Sequence, residues 1–475
     1  MMKRFFGEYL LKPEKLRAEL IKPFHLFFKA EASSSILLIC AVAIALLWAN
    51  SPFAAAYHHF WQSELSIDLG GHSVVKSLRG WINEGLMAIF FFIVGLEIKR
   101  EVSTGELSSL KKALLPVGAA LGGMIFPALV YFAFNYGTPT VHGWGIAMAT
   151  DIAFALGALF ILGKKIPFGL RVFLSALAIA DDLGAVVVIA FFYTKTIVMS
   201  SLAFGFVAII LIVIANLLWV RRTLVYALLG IGLWFALLGS GIHAAVAGVI
   251  VAMCIPARGK YDTDRFLGEV SKYLGEFHCP PDGCGHSILL NEKHRDAVQS
   301  IELACHDVET PLQRLEHSLH PWIAYLVIPI FALANAGLTL GTINVAQALT
   351  SPVTLGVGLG LLFGKPIGIV LFSYLFTRKN LASLPAGVAW PHIIGAGILG
   401  GIGFTMSLFI TSLSFRDPLM LDFATVGILI ASFVSGIVGI AFLRIFSMKW
   451  KEEKEFKKRS GEADARPRTR VRHRP

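Results

Sequence analysis

Charge is scarce in this sequence. Asp, Glu, Lys and Arg make up 15% of its 475 residues, too few to cover the surface of a water-soluble chain of this length. Cysteine is scarce as well: of the five, Cys40 and Cys254 fall in apolar runs and Cys279, Cys284 and Cys305 in the 257–320 loop, whose expected place in a reducing cytoplasm argues against structural disulfides there. Polar–apolar alternation over segments of about ten residues, the mark of a membrane β-barrel, is missing. Residues 1–31 lack an apolar core followed by small residues, so the first span is expected to insert as an uncleaved anchor.

Long apolar runs are what the chain does have. It is 56% hydrophobic, with a mean hydropathy of +0.69. A helix crosses the hydrocarbon layer with about 20 mostly apolar residues. Twelve runs have that character: 34–50, 81–97, 113–134, 145–163, 168–192, 199–220, 224–238, 241–256, 322–340, 354–377, 391–413 and 421–445. The runs 224–238 and 241–256 are short enough to lie tilted or as a tight hairpin. The expected fold is an all-α polytopic membrane protein with about twelve transmembrane helices.

Basic residues orient it. With the N-terminus cytoplasmic and all runs spanning, the inner segments collect Lys99 and Arg100, Lys111 and Lys112, Lys164 and Lys165, Arg221 and Arg222, and Arg378 and Lys379. The outer segments hold Lys76, Arg79, Lys195 and Arg416. That asymmetry follows the positive-inside rule and places both termini in the cytoplasm. The net charge of +11 therefore reflects topology and calls for no nucleic-acid partner; contact of the basic tail with RNA or lipid is the competing reading. The domain reading is an amphipathic inner segment at 1–31, helices over 32–256, a long inner loop at 257–320, helices over 321–445, and a basic tail at 446–475 that is disordered beyond about residue 460.

Outside the bundle, 64–78 alternates around Gly70 and Gly71 and reads as a short β-hairpin on the outer face. Its edges suit pairing with a second copy as a homodimer, or the hairpin is a monomeric flap. Glycines carry further information. Gly118 and Gly122 form a small-xxx-small face. Gly356, Gly358, Gly360, Gly364 and Gly368 surround Pro366, and Gly395, Gly397, Gly400, Gly401 and Gly403 fill one span. Close packing explains any one of them, whereas such density in two neighbouring spans suggests interrupted helices lining a cavity.

Few ionisable residues fall near the middle of a span: Asp181 and Asp182 in 168–192, Lys365 in 354–377, and Asp151, after Thr150, in 145–163. A charge at a helix centre costs about 2.5–3.5 kcal/mol on insertion scales, so these four are expected to face one another inside the bundle. Helix-gluing ion pairs are the structural alternative. Three carboxylates and one ammonium do not balance without a further cation. Adjacent residues on a helix point about 100° apart, so one aspartate is placed to pair with Lys365. The other is placed to join Asp151 and the Thr150 hydroxyl around a small hard cation, which prefers oxygen ligands. Emptied of its cation, such a site takes up protons, and competition of sodium with protons is the minimal chemistry of an antiporter.

The sequence resembles the NhaA-type sodium/proton antiporters. The resemblance lies in ATDIAFALG (149–157), ALAIADDLGAVVVIA (176–190), SGIHAAVAG (240–248), LHPWIAYLVIPIFALANAG (319–337), GKPIG (364–368) and GIGFTMSLFI (401–410), in that order, and runs from about residue 30 to 445 apart from the inner loop. It implies inverted repeats, for which this family serves as a type example. It also implies that helices 145–163 and 391–413 are interrupted and cross. On this resemblance Asp182 is the principal sodium- and proton-binding carboxylate, with Asp151 and Thr150 as its partners in the sodium site. Asp181 and Lys365 are a buried pair and candidates for carrying protons. Asp151 and Lys365 would offset the half-helix ends. Glu97 and Glu101 match part of a cytoplasmic pH-responsive region, and His243 matches a family histidine; solvated helix ends and a packed polar group are the plainer readings of these three. The implied activity is electrogenic exchange of sodium or lithium for protons, two protons per sodium, across a bacterial-type inner membrane. No enzymatic activity and no resident cofactor are implied.

The segment 277–309 departs from the family pattern as an insertion. It brings Cys279, Cys284, His286, Cys305 and His306 together in sequence, a set able to ligate zinc but without the spacing of a standard finger; a polar linker is the plainer reading. Other functions meet obstacles. An intramembrane aspartyl protease leaves Lys365 unexplained, and the chain has no Gly-x-Gly-Asp run. A cation channel needs no titrating aspartate. A potassium/proton exchanger is the nearest alternative, because a list of oxygen ligands does not fix cavity size.

Overall fold

The structure, a computed structural model, describes residues 33–459 except 70–71, 195–196, 260, 276–291 and 342–343. The expected amphipathic segment at 1–31 and the tail beyond 460 lie outside the described residues. Among those described, eight helices are long and apolar enough to cross a membrane, and up to ten if each of two bent pairs is one span. The bent pairs are Ser33–Ala49 with Ala54–Gln62, at 113°, and Trp390–Gly400 with Phe404–Ser414, at 43°. Two shorter apolar helices, Ile152–Leu162 and Ala245–Cys254, stand where the sequence suggests full spans over 145–163 and 241–256. At 1.5 Å per residue each reaches about 15 Å, half the hydrocarbon thickness.

The described residues divide into two compact units. One holds those up to Ile36, those of Lys111–Asp181 and those from Leu340 onward; the other holds those of Leu37–Leu110 and Asp182–Thr339. In the first, the half-helix Ile152–Leu162 supplies Leu156 and Leu159 to a core shared with Leu170, Leu174 and Leu177 of Phe168–Phe192, Ile369, Ile393, Leu399 and Leu443. In the second, Ile93, Leu96, Ile212, Leu233, Val251 and Ile255 form the core. The helix Met199–Leu217 leaves Phe204 72% and Leu217 73% exposed, and Thr223–Ser240 leaves Leu224 67% exposed. Apolar surface on that scale needs a lipid cover. Burial alone gives these spans no amphipathic stripe, because both faces meet apolar surroundings.

The Gly118–Gly122 face packs as its spacing suggests. Gly122 of Leu110–Asn135 lies back to back with Gly368 of Lys365–Arg378, so that a Cβ on either would collide with the other's carbonyl, and Gly118 rests on the Phe376 ring. Gly122→Val should therefore lower stability, at the upper end of the about 1–3 kcal/mol of overpacking since the obstacle is backbone; thermal melting of the detergent-purified protein measures it.

Of the two glycine-rich spans, only 391–413 is interrupted. Helix runs continuously from Pro352 to Arg378, through a π turn at Gly360–Gly364 that absorbs Pro366. The Lys365 N–H bonds the Gly360 carbonyl, five residues back, so the widened turn accommodates a proline that lacks a donor. The run at 322–340 also differs: its helix begins at Pro311, where Thr310 and Gln313 form a capping box, and continues through a π turn at Ile323–Val327 to Asn335. The connection before Pro311 is correspondingly shorter and holds the helices Thr263–Gly275 and Glu292–Val308. The final helix, Pro418–Arg459, carries on past residue 445 into the basic tail. Within 64–78, the strands Glu64–Leu69 and His72–Ser77 form a two-stranded antiparallel sheet, paired from Glu64 opposite Ser77 to Leu69 opposite His72. Trp81 Nε1 donates to the Leu65 carbonyl at 2.8 Å, tying this sheet to the helix that follows.

Candidate ion-binding site

In the first unit, the two interruptions touch. Residues 149–151 lack regular secondary structure before the Ile152–Leu162 helix, with Asp151 extended, and 401–403 separate Trp390–Gly400 from Phe404–Ser414. The Asp151 N–H donates to the Ile402 carbonyl at 2.7 Å, and the Ser407 hydroxyl donates to the Ile146 carbonyl at 2.7 Å. Backbone groups freed by each break are thus taken up by the other, the arrangement that irregular backbone at membrane depth requires.

Lys365 Nζ lies 2.6 Å from Oδ2 of Asp181, with both side chains fully buried. The same ammonium donates to the Met148 carbonyl in the first interruption. Thr150 Oγ1 lies 2.6 Å from Asp181 Oδ2, to which it donates, and 3.2 Å from the Gly400 carbonyl. Thr150 therefore sits with the Asp181–Lys365 pair, where the sequence alone groups it with Asp151. The reason is local: consecutive side chains of an extended backbone point to opposite sides.

Asp151 faces the other way. Its Oδ1 accepts the Phe154 N–H at 3.1 Å, capping Ile152–Leu162. Its Oδ2 accepts from Thr405 twice, from the N–H at 3.0 Å and the hydroxyl at 2.6 Å. One carboxylate thus meets the N-terminal turns of two half-helices, both of which favour an anion. Lys365, against the Met148 carbonyl, supplies the cation on the opposite side of the break. Thr405 is the residue that sequence reasoning passed over. It stands inside the GIGFTMSLFI motif, but a partner 254 positions away leaves no local signal.

Asp182 is 0% exposed and directly follows Asp181 in the unbroken helix Phe168–Phe192. The boundary between the two compact units falls between these aspartates.

The profile of the Na+/H+ antiporter 1 family matches residues 25–443. The chain belongs to that family. It is 48% identical over 427 residues to the Na(+)/H(+) antiporter NhaA of Oleidesulfovibrio alaskensis, covering 90% of this chain and 94% of the relative. It is 48% identical over 426 residues to NhaA 2 of Syntrophotalea carbinolica, covering 90% and 97%. It is 47% identical over 433 residues to NhaA 1 of Saccharophagus degradans, covering 90% and 93%.

The remaining residues that the antiporter family drew attention to lie in the second unit. Glu97 and Glu101 are half-buried on Met87–Ser103. Between them, Arg100 forms ion pairs with Glu101, at 3.1 Å, and with Glu316 of Pro311–Trp322. Glu101 Oε2 accepts the Glu106 N–H at 3.0 Å. Neighbouring Lys99 donates to the Met253 carbonyl at 2.6 Å and to that of Ile255, closing the end of Ala245–Cys254. His243 Nδ1 accepts the Ala245 N–H at 3.2 Å where that helix begins. Among the described residues no three His, Cys, Asp or Glu side chains converge as a metal site. Cys279, Cys284 and His286 lie outside the described residues, as does the side chain of His306, and Cys305 is exposed.

Proposed function

We propose that this chain exchanges sodium for protons through the buried carboxylates at the two helix breaks. It is a secondary transporter, not an enzyme, and an integral membrane protein. The observation that carries the reading is the fully buried Asp181–Lys365 pair with Asp151 at the touching breaks, in a chain of the Na+/H+ antiporter family. Asp182 is the principal carboxylate for sodium and for protons, with Asp151 and Thr150 contributing oxygens. Asp181 and Lys365 keep the site electrically balanced and share in proton transfer. Carboxylate and hydroxyl oxygens suit a small hard cation, and when it departs the same oxygens accept protons. Two protons per sodium make the exchange electrogenic, so the membrane potential assists sodium extrusion.

The finer architecture is proposed on the same basis. Counting each bent pair and each short helix as a crossing gives twelve spans, arranged as inverted repeats in a bacterial-type inner membrane with both termini cytoplasmic. Glu97, Glu101 and His243 take part in the response to pH. Two copies pair through the outer hairpin, whose exposed Leu65 and Val75 suit burial against a second sheet edge. Removing residues 65–76 should convert a dimer to a monomer in detergent, with exchange retained at neutral pH; light scattering after size exclusion reads the mass.

The function is tested in everted vesicles carrying a quenched pH dye. Sodium and lithium should each restore fluorescence across neutral to alkaline pH, and potassium should not. Equal responses to potassium would favour a potassium/proton exchanger, and ion flux without proton movement would favour a channel.

A further inference from the structure

The Asp151 carboxylate is held unusually completely. A carboxylate offers about four lone-pair directions. Three are occupied here, by the Phe154 N–H on Oδ1 and by both donors of Thr405 on Oδ2. The two oxygens are thus tied to two different half-helices. Thr405 itself is 6% exposed. Its hydroxyl is directed at a single acceptor 2.6 Å away, in the first turn of Phe404–Ser414.

We propose that Thr405 is a positioning residue for cation binding: its hydroxyl fixes the Asp151 carboxylate across the two helix breaks, so that Asp151 meets the ion already oriented. The inference rests on the reading of Asp151 as a sodium ligand and adds the residue that sets its geometry. A carboxylate with both oxygens anchored loses little rotational freedom when the ion arrives. One that has lost the hydroxyl is held on Oδ2 by the backbone N–H alone, so more of its orientation must be set when the ion arrives, and the cost appears in binding. The backbone N–H of residue 405 remains whatever side chain stands there, so the crossing of the breaks does not depend on the hydroxyl. The hydroxyl acts in this proposal by orienting a ligand of the ion, so its loss is read in the ion concentration for half-maximal exchange.

Thr405→Val keeps the side-chain shape and removes the hydroxyl. In everted vesicles it should raise the sodium and lithium concentrations for half-maximal dequenching by about tenfold, the scale of one hydrogen bond to a charged group, with the maximal response close to that of the parent. Thr405→Ser, which keeps the donor, should restore the parental half-maximal concentration. If Thr405→Val does not accumulate in the membrane, Thr405→Ala carries the same expectation. An unchanged half-maximal concentration without the hydroxyl overturns the proposal. So does a Thr405→Ser variant as impaired as Thr405→Val, or a fall in maximal response with no change in half-maximal concentration. Asp182→Asn in the same series separates the two readings. If Asp182→Asn exchanges sodium normally, the assignment of the ion site fails; if it is inactive and Thr405→Val is unaltered, only the role of Thr405 fails.

Discussion

Asp182→Asn should reduce sodium-dependent proton movement to the background of vesicles without the transporter, while the protein still reaches the membrane in normal amount. Asparagine matches aspartate in size, and position 182 is wholly enclosed, so packing is preserved. The chemistry is lost. A neutral amide neither gives up a proton to make room for sodium nor supplies the negative charge that compensates the ion at membrane depth. Asp181 cannot substitute, because it lies about 100° round the same helix and is already committed to Lys365 and Thr150. Dye dequenching at several sodium concentrations, beside an immunoblot of the same vesicles, is the measurement. Normal sodium exchange by Asp182→Asn would remove the central assignment.

Loss of the ammonium should show itself first in stability. Lys365→Met keeps an unbranched side chain of similar length but leaves Asp181 buried with only the Thr150 hydroxyl among its two recorded donors. It also removes the donor to the Met148 carbonyl. Breaking a buried pair by removing one partner typically costs about 3–5 kcal/mol, because the remaining charge is uncompensated. The detergent-purified variant should melt many degrees below the parent. Adding Asp181→Asn should recover a good part of that loss, since the double variant buries no orphaned charge. A double variant no more stable than Lys365→Met alone would mean that Lys365 stabilises the fold through Met148 and packing, with little contribution from Asp181.

Particular residues show how far the sequence reaches. Asp181, Asp182, Asp151 and Lys365 announce themselves because each is an expensive charge in an apolar run. Lys365 opposite one of the paired aspartates follows from charge balance. The Gly118–Gly122 spacing predicts a close helix approach, and Gly368 provides its other half. Glycine density alone misleads at 354–377, where a π turn carries the helix through Pro366, while the same density at 391–413 does mark a break. Whether a span breaks depends on whether neighbouring groups receive the freed backbone, as Asp151 and Ile402 do for each other.

What the sequence determined by itself was the environment and the chemistry. Apolar runs commit the chain to lipid, and the rarity of buried charge singles out the four groups that matter, since each must be compensated there. What only the tertiary structure decided was which group compensates which. Thr150 joins Asp181 although it adjoins Asp151, because an extended backbone turns neighbouring side chains apart. Asp151 meets Thr405 across 254 positions because two half-helices present their N-termini to one carboxylate. Hydrogen bonds depend on direction and proximity in space, and the packing of the two broken helices alone sets both.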